Sequence, residues 1–391
     1  MPHPFVRNRA TWLAYIALAL YGYFLNIFGP ITPFLKNELE LSYTVSSLHF
    51  SAFALGIIGA GLIGNRVIQR VGRWNALWIS AFGMSACALL LIAGRDASLT
   101  IGASFLMGLV GSLILAVVPS ALSDQHGDMR AVALSEANVF SSLFSASAPV
   151  LVGWFALSAL GWRMALVVAV LAVVVIRVGF NRVSLPPMAA PKTADQHEPP
   201  LSILYWLYWT ALVAAVSVEF CLIFWSADYL ETSLGMPTAE AAQAVSVFLG
   251  SMIVGRLAGS RLVRHISAHR VITASLIIDT VGFLLYWTAS TPLVGMIGLG
   301  IAGLGTASLY PLILAFSIET SRGSTVRASA LASLASGTAI LALPLILGRL
   351  ADAVGIRPAY AVVIVLLVAA FAITQGAARL ARRSTIVGEI K

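Results

Sequence analysis

Apolar residues fall along this chain in long uninterrupted runs rather than in the short alternations of a soluble fold. Runs bounded by charges, prolines or glycine clusters cover about 11–35, 44–64, 75–94, 98–122, 131–157 and 161–180. A second set covers about 203–230, 239–260, 270–289, 292–318, 326–348 and 357–378. A bilayer-spanning helix needs about 20 apolar residues, so the pattern predicts twelve transmembrane helices. The first run follows Arg7 and Arg9 as a signal peptide would, but it carries Tyr21, Tyr23, Asn26 and Pro30 with no small-residue cleavage site, and it reads as the first span. The stretch 181–202, with five prolines and no periodicity, reads as a linker and separates six spans from six. The expected organisation is an N-terminal six-helix bundle over 1–180, a cytoplasmic linker over 181–202 and a C-terminal six-helix bundle over 203–391.

Composition agrees. Of 391 residues, 59% are hydrophobic and 10% charged, against about a quarter charged in soluble domains, which excludes an ordinary globular enzyme, a coiled coil and a disordered chain. The net charge of +8 would point a soluble chain toward nucleic acid; here its distribution matters more. With the N-terminus inside, 18 Lys and Arg fall in inner segments and 5 in outer ones, with Arg256 inside a span. That asymmetry predicts both termini in the cytoplasm, in a multi-pass protein of the cytoplasmic (inner) membrane with the bilayer as its surroundings and no nucleic-acid partner. Cys87 and Cys221 lie in separate apolar runs and offer neither a disulfide framework nor a metal cluster.

The two halves repeat. Gly64, Arg66, Pro149 and Gly153 recur as Gly259, Arg261, Pro344 and Gly348 at an offset of 195, and Gly161 and Arg163 recur as Gly355 and Arg357 at 194. Paired apolar residues arise easily by chance in such a composition; paired Gly, Pro and Arg at one offset do not. Two repeats of six spans enter the membrane in the same orientation, which predicts a parallel pseudo-two-fold repeat with a substrate site where the halves meet.

The loop after the second span, Gly64-Asn65-Arg66-Val67-Ile68-Gln69-Arg70-Val71-Gly72-Arg73, and the Gly161-Trp162-Arg163 corner resemble the major facilitator superfamily over essentially the whole chain. Arg70, Gly72 and Arg73 fit its loop motif, the first glycine (Gly64) sits one residue early, and the usual acid is Gln69. The resemblance implies that this loop steadies one conformation; with Gln69, such a latch must rest on neutral hydrogen bonds or other partners. Ser308-Leu309-Tyr310-Pro311 is similar to the fucose–galactose–proton symporter branch, and Ala148-Pro149-Val150-Leu151-Val152-Gly153 to a motif of drug–proton antiporters. What the resemblance implies is a secondary active, proton-coupled carrier of a small organic solute, working as a monomer by alternating access. Uptake symport, drug or metabolite efflux and a non-transporting sensor on the same fold stay open.

An ionisable group at bilayer depth is unfavourable unless paired, hydrated or neutralised, and is a functional candidate for that reason. Glu219 lies in the seventh span with no Lys or Arg within a helical turn of its own segment, and is the candidate proton-coupling site. Arg256 and Asp279 sit on consecutive antiparallel spans at about 8 and 13 Å depth and are expected to pair. Glu136, after Arg130, and Glu319, beside Arg322, stand at cytoplasmic span ends as gate or solvated charges. For substrate contact the candidates are Tyr23, Asn26, Trp225 and Tyr310, with His49 a further proton-site candidate weighed against helix packing.

Two stretches spelling G-x-G-x-x-G, from Gly59 and from Gly298, follow no strand, and a dinucleotide site is not expected there. The sequence contains no P-loop, catalytic nucleophile–base pair or metal-ligand spacing, so no enzyme activity and no cofactor are expected.

Overall fold

A computed structural model describes residues 5–183, 185, 200–321 and 325–389, and among them every regular element is a helix. Most of the expected linker, 181–202, lies outside the described residues. The helices of the first half are α1 (Arg9–Asn26), α2 (Phe28–Leu39), α3 (Tyr43–Ala93), α4 (Ala97–Gly111), α5 (Leu113–His126), α6 (Arg130–Ala156) and α7 (Met164–Gly179). Those of the second are α8 (Ile203–Leu234), α9 (Thr238–Leu262), α10 (Ala268–Thr288), α11 (Pro292–Thr306), α12 (Leu309–Glu319), α13 (Thr325–Val354), α14 (Ile356–Ala359) and α15 (Ala361–Glu389). Packing divides the chain into a unit of Met1–Lys192 with Pro237–Ser246 and a unit of Thr193–Met236 with Val247–Lys391, so the first turns of α9 group with the earlier unit.

Caps and breakers explain the boundaries. Asn8, Ser42, Asp96, Ser202 and Thr291 each accept a hydrogen bond from the backbone N–H three residues on, the local geometry that starts a helix. Prolines set two of the breaks. Pro30 has no N–H for the carbonyl of Asn26, where α1 ends, and Pro311 has none for that of Ala307, where α11 gives way to α12. α3 is 51 residues long, roughly 75 Å of helix against a hydrocarbon layer of about 30 Å, and it breaks at Gly72, whose φ of +80° suits a residue without Cβ. Nine helical stretches among the described residues are long and apolar enough to cross a membrane; Met164–Gly179 is apolar but shorter. The chain is thus a multi-pass membrane protein.

The repeat is visible inside each unit. In the first, Gly108 of α4 lies against the carbonyl of Phe53 on α3 so closely that a Cβ would overlap it; in the second, Gly303 of α11 takes the same place against Phe248 of α9, with a Cβ 2.5 Å from the carbonyl oxygen. Both pairs are related by 195 residues, as are the helix breaks at Ser112 and Ala307. The corners match too. Gly161 (φ +74°) and Gly355 (φ +86°) turn the chain, and two residues later Arg163 donates to the carbonyl of Ile92 (3.2 Å) and Arg357 to that of Ala289 (2.8 Å). Each arginine thereby neutralises carbonyls left open at a helix C-terminus, α3 in one unit and α10 in the other.

Candidate functional site

The polar residues of the second unit converge from five helices. Ser202 caps α8, and Glu219 follows 16 residues into that helix, in a segment otherwise apolar. Arg256 approaches from α9: its guanidinium lies 3.8 Å from the Glu219 carboxylate, with the arginine side chain 42% exposed and the glutamate 14%. Asp279, on α10, is fully buried and receives the Thr306 hydroxyl of α11 at 2.9 Å. The break between α11 and α12 leaves Tyr310, in the first turn of α12, half-buried.

This geometry corrects one expectation. Arg256 pairs with Glu219 on α8, not with Asp279 on α10, and Asp279 is served by a hydroxyl instead. Sequence position fixes how deep a residue sits along its helix but not which way its side chain faces around the axis. Glu219 has no cation within a turn of its own helix because its cation comes from the next one.

The aromatic and amide candidates are placed differently. Tyr23 donates to the carbonyl of Ala165 at 2.9 Å, Asn26 to the carbonyl of Gly22 at 2.9 Å and the hydroxyl of Ser145 at 3.0 Å, and the Trp225 indole to the carbonyl of Pro344 at 3.1 Å. All three are buried, and in this structure their polar atoms hold neighbouring helices of one unit together. Tyr310, of the four, stays part-exposed. His49 is buried with both ring nitrogens engaged, one at 3.1 Å from the Ser46 carbonyl and the other at 2.9 Å from the Thr100 hydroxyl, which is the environment of a packing histidine.

Ion pairs among the described residues tie the first unit together at several points. Glu136 takes Arg7 at 2.5 and 2.8 Å and the Tyr15 hydroxyl at 3.0 Å, so its partner is the segment before α1 and not Arg130. In the α3 loop, Gly64 is buried, Arg70 and Gly72 are exposed, and Arg73 folds inward to Asp124 of α5 at 2.6 Å. Gln69 carries no charge, and the loop's ionic contact is made instead by Arg73, to an acid on another helix. At the opposite end of the unit, Glu38 receives both the Trp162 indole (2.8 Å) and Arg163 (2.6 Å). Glu319 is exposed at the end of α12, and Arg322, its expected neighbour, lies outside the described residues. Thr306, Asp124, Arg7 and Glu38 escape a reading of sequence alone, since each gains its role only through a contact far along the chain.

Among the described residues no cluster of three or more His, Cys, Asp or Glu side chains could hold a metal ion. The family model of the Major Facilitator Superfamily matches residues 14–278 and 210–384. A "Glucose/galactose transporter" of Brucella abortus biovar 1 (strain 9-941) is 27% identical over 372 residues, 87% of each chain. A "Protein TsgA homolog" of Erwinia tasmaniensis is 22% identical over 312 residues, 78% of each. Among solved structures, a bacterial homolog of the human lysosomal transporter Spinster superposes with a TM-score of 0.78 at 15% identity, over 96% of this chain and 98% of that one. A point mutant of the nucleoside transporter NupG superposes with a TM-score of 0.74 at 12% identity, over 94% and 98%. These likenesses support the same fold, and the family model carries the assignment: this chain belongs to the major facilitator superfamily and is a membrane transporter, not an enzyme.

Proposed function

We propose that the protein is a proton-coupled secondary active carrier of a small organic solute, with a hexose as the first substrate class to test. In this reading the chain crosses the inner membrane twelve times, as two six-helix halves with both termini in the cytoplasm, and works by alternating access. Dividing α3 at Gly72 and the apolar stretch 97–156 at the turn after His126 adds two crossings to the nine long apolar stretches, and α7 makes the twelfth. The observation that carries the coupling is the Glu219–Arg256 pair. A carboxylate and a guanidinium at 3.8 Å, inside a membrane protein and still partly exposed, attract strongly enough to hold one arrangement and release when a proton neutralises the acid. Tyr310, part-exposed on α12 of the same unit, supplies an aromatic face and a hydroxyl, the groups a sugar uses for stacking and hydrogen bonding. Similarity to the Brucella abortus glucose/galactose transporter supports hexose as the starting class.

The test is a thermal-shift screen of purified protein against hexoses and other small solutes, followed by uptake into proteoliposomes with and without an inward pH gradient. The reading expects accumulation that the gradient drives and that Glu219→Gln abolishes. Wild-type flux indifferent to the gradient would remove proton coupling, and ligand binding without flux would make the protein a sensor.

A further inference from the structure

The hydroxyl of Thr306 stands 2.9 Å from two oxygens, the carbonyl of Ala302 on its own helix and Oδ2 of Asp279. A hydroxyl carries one proton and donates one full hydrogen bond. If Asp279 were ionised, the hydroxyl could serve Oδ2 or Ala302 but not both at full strength. If Asp279 is a neutral acid, the counts close: its O–H donates to the Thr306 oxygen, and the Thr306 O–H donates to Ala302. Oδ1 of Asp279 is fully buried and has no hydrogen-bond partner among the described residues. That is costly for a charged carboxylate and far less so for the carbonyl oxygen of an acid.

The fold does not require this polar crossing. In the first unit the positions 195 residues earlier are Met84 and Gly111, and they too lie against one another, with a Cβ at Gly111 falling 2.7 Å from the Met84 sulfur. The same helix–helix contact is apolar in one unit and acidic in the other. Charge supplies the rest of the argument. Glu219 on α8, which faces Arg256 on α9, is the titratable group whose charge acts on Asp279. One guanidinium and two carboxyls are electrically neutral when one carboxyl keeps its proton, and a low-dielectric interior favours that neutral sum.

We propose that Asp279 and Thr306 form a second proton-binding site of this unit, in which Asp279 is held as a neutral acid while Glu219 faces Arg256 and gives up its proton when Glu219 no longer carries charge. The proposal deepens the proton-coupled reading, since it places two exchangeable protons in one cluster.

Infrared spectroscopy of the full-length protein in lipid nanodiscs at neutral pH tests it without any substrate. Wild type should show the carbonyl stretch of a protonated carboxylic acid, and Asp279→Asn should remove it. Thr306→Val should move that band to higher frequency by removing the acceptor of the acid proton, while Thr306→Ser leaves it in place. Glu219→Gln should lower its intensity by about twofold or more, because a coupled site ionises when its neighbour's charge is gone. Should Asp279→Asn not fold, the contrast between the two Thr306 variants still assigns the band. The proposal is overturned if no acid band responds to Asp279→Asn or to Thr306→Val, or if the band keeps its intensity in Glu219→Gln. A missing band alongside gradient-driven uptake would sink this site and leave the carrier intact; an intact band without gradient-driven uptake would do the reverse.

Discussion

Arg73 donates to Asp124 across 2.6 Å, and the two ends of this ion pair sit in unlike surroundings: the guanidinium side chain is 4% exposed and the carboxylate 37%. Removing the acid takes an ionic partner from a cation that has little water to turn to. Removing the arginine leaves an acid that solvent can reach. Asp124→Asn should therefore destabilise the protein by about 2–3 kcal/mol, and Arg73→Gln by less, because a buried cation that loses an ionic partner is harder to satisfy than an acid that solvent can reach. Thermal unfolding of both variants in nanodiscs checks the order, and equal losses would show that the pair, rather than the burial of the cation, sets the cost.

Close helix packing gives a second prediction. A Cβ added at Gly108 would overlap the Phe53 carbonyl, and one at Gly303 would fall 2.5 Å from the Phe248 carbonyl oxygen. Backbone cannot swing aside as a side chain can. Gly108→Ala and Gly303→Ala should each cost about 1–3 kcal/mol, the scale of overpacking. Gly61 and Gly102 are helical glycines whose Cβ would meet nothing within 4 Å, and there alanine should be neutral or stabilising, by up to about 1 kcal/mol. Melting temperatures of the four variants decide it; a pair of buried substitutions as mild as the exposed pair would refute the close approach.

The internal repeat was open to reading from the sequence because its markers do backbone work. Gly161 and Gly355 turn with positive φ, and Arg163 and Arg357 cap helix ends, so both kinds of residue are tied to fixed points of the fold. The helix breaks at Pro30 and Pro311 were not, because the apolar runs 11–35 and 292–318 continue across them. Nor were side-chain partnerships. Arg256 on α9 could have met either neighbouring helix, and the azimuth that turns it toward Glu219 is set by packing among several helices. Tyr23 and Trp225 looked like ligand contacts because a polar tip at membrane depth demands a partner. The structure supplies that partner from carbonyls of Ala165 and Pro344.

Glu38 links two elements by holding the Trp162 indole and the Arg163 guanidinium together, whereas Arg357, the repeat equivalent of Arg163, is tied to backbone carbonyl oxygen. Glu38→Gln combined with Arg163→Gln in a double-mutant cycle should yield a coupling of about 0.5–1 kcal/mol, since both groups remain partly exposed and screening trims the gain. A cycle pairing Glu38→Gln with Arg357→Gln should be additive within about 0.5 kcal/mol. Differential scanning fluorimetry of the variants gives both numbers, and a coupling to Arg357 as large as that to Arg163 would contradict the geometry.

The Glu219–Arg256 pair makes a prediction that separates coupling from binding. If the pair is the element that a proton opens, either residue alone is useless to it: Glu219→Gln removes the titrating group, and Arg256→Gln removes the charge that lets Glu219 ionise at membrane depth. Both variants should then lose gradient-driven accumulation by about tenfold or more, the equivalent of about 1.4 kcal/mol. The double variant should be no worse than either, because residues acting as a unit are not additive. Substrate counterflow, which needs the alternation between two open states but no net proton movement, should persist in all three. Arg256→Gln that accumulates substrate as the wild type does would mean that the arginine only packs against α8, and a double variant losing the product of the two single losses would mean that the two side chains serve separate steps.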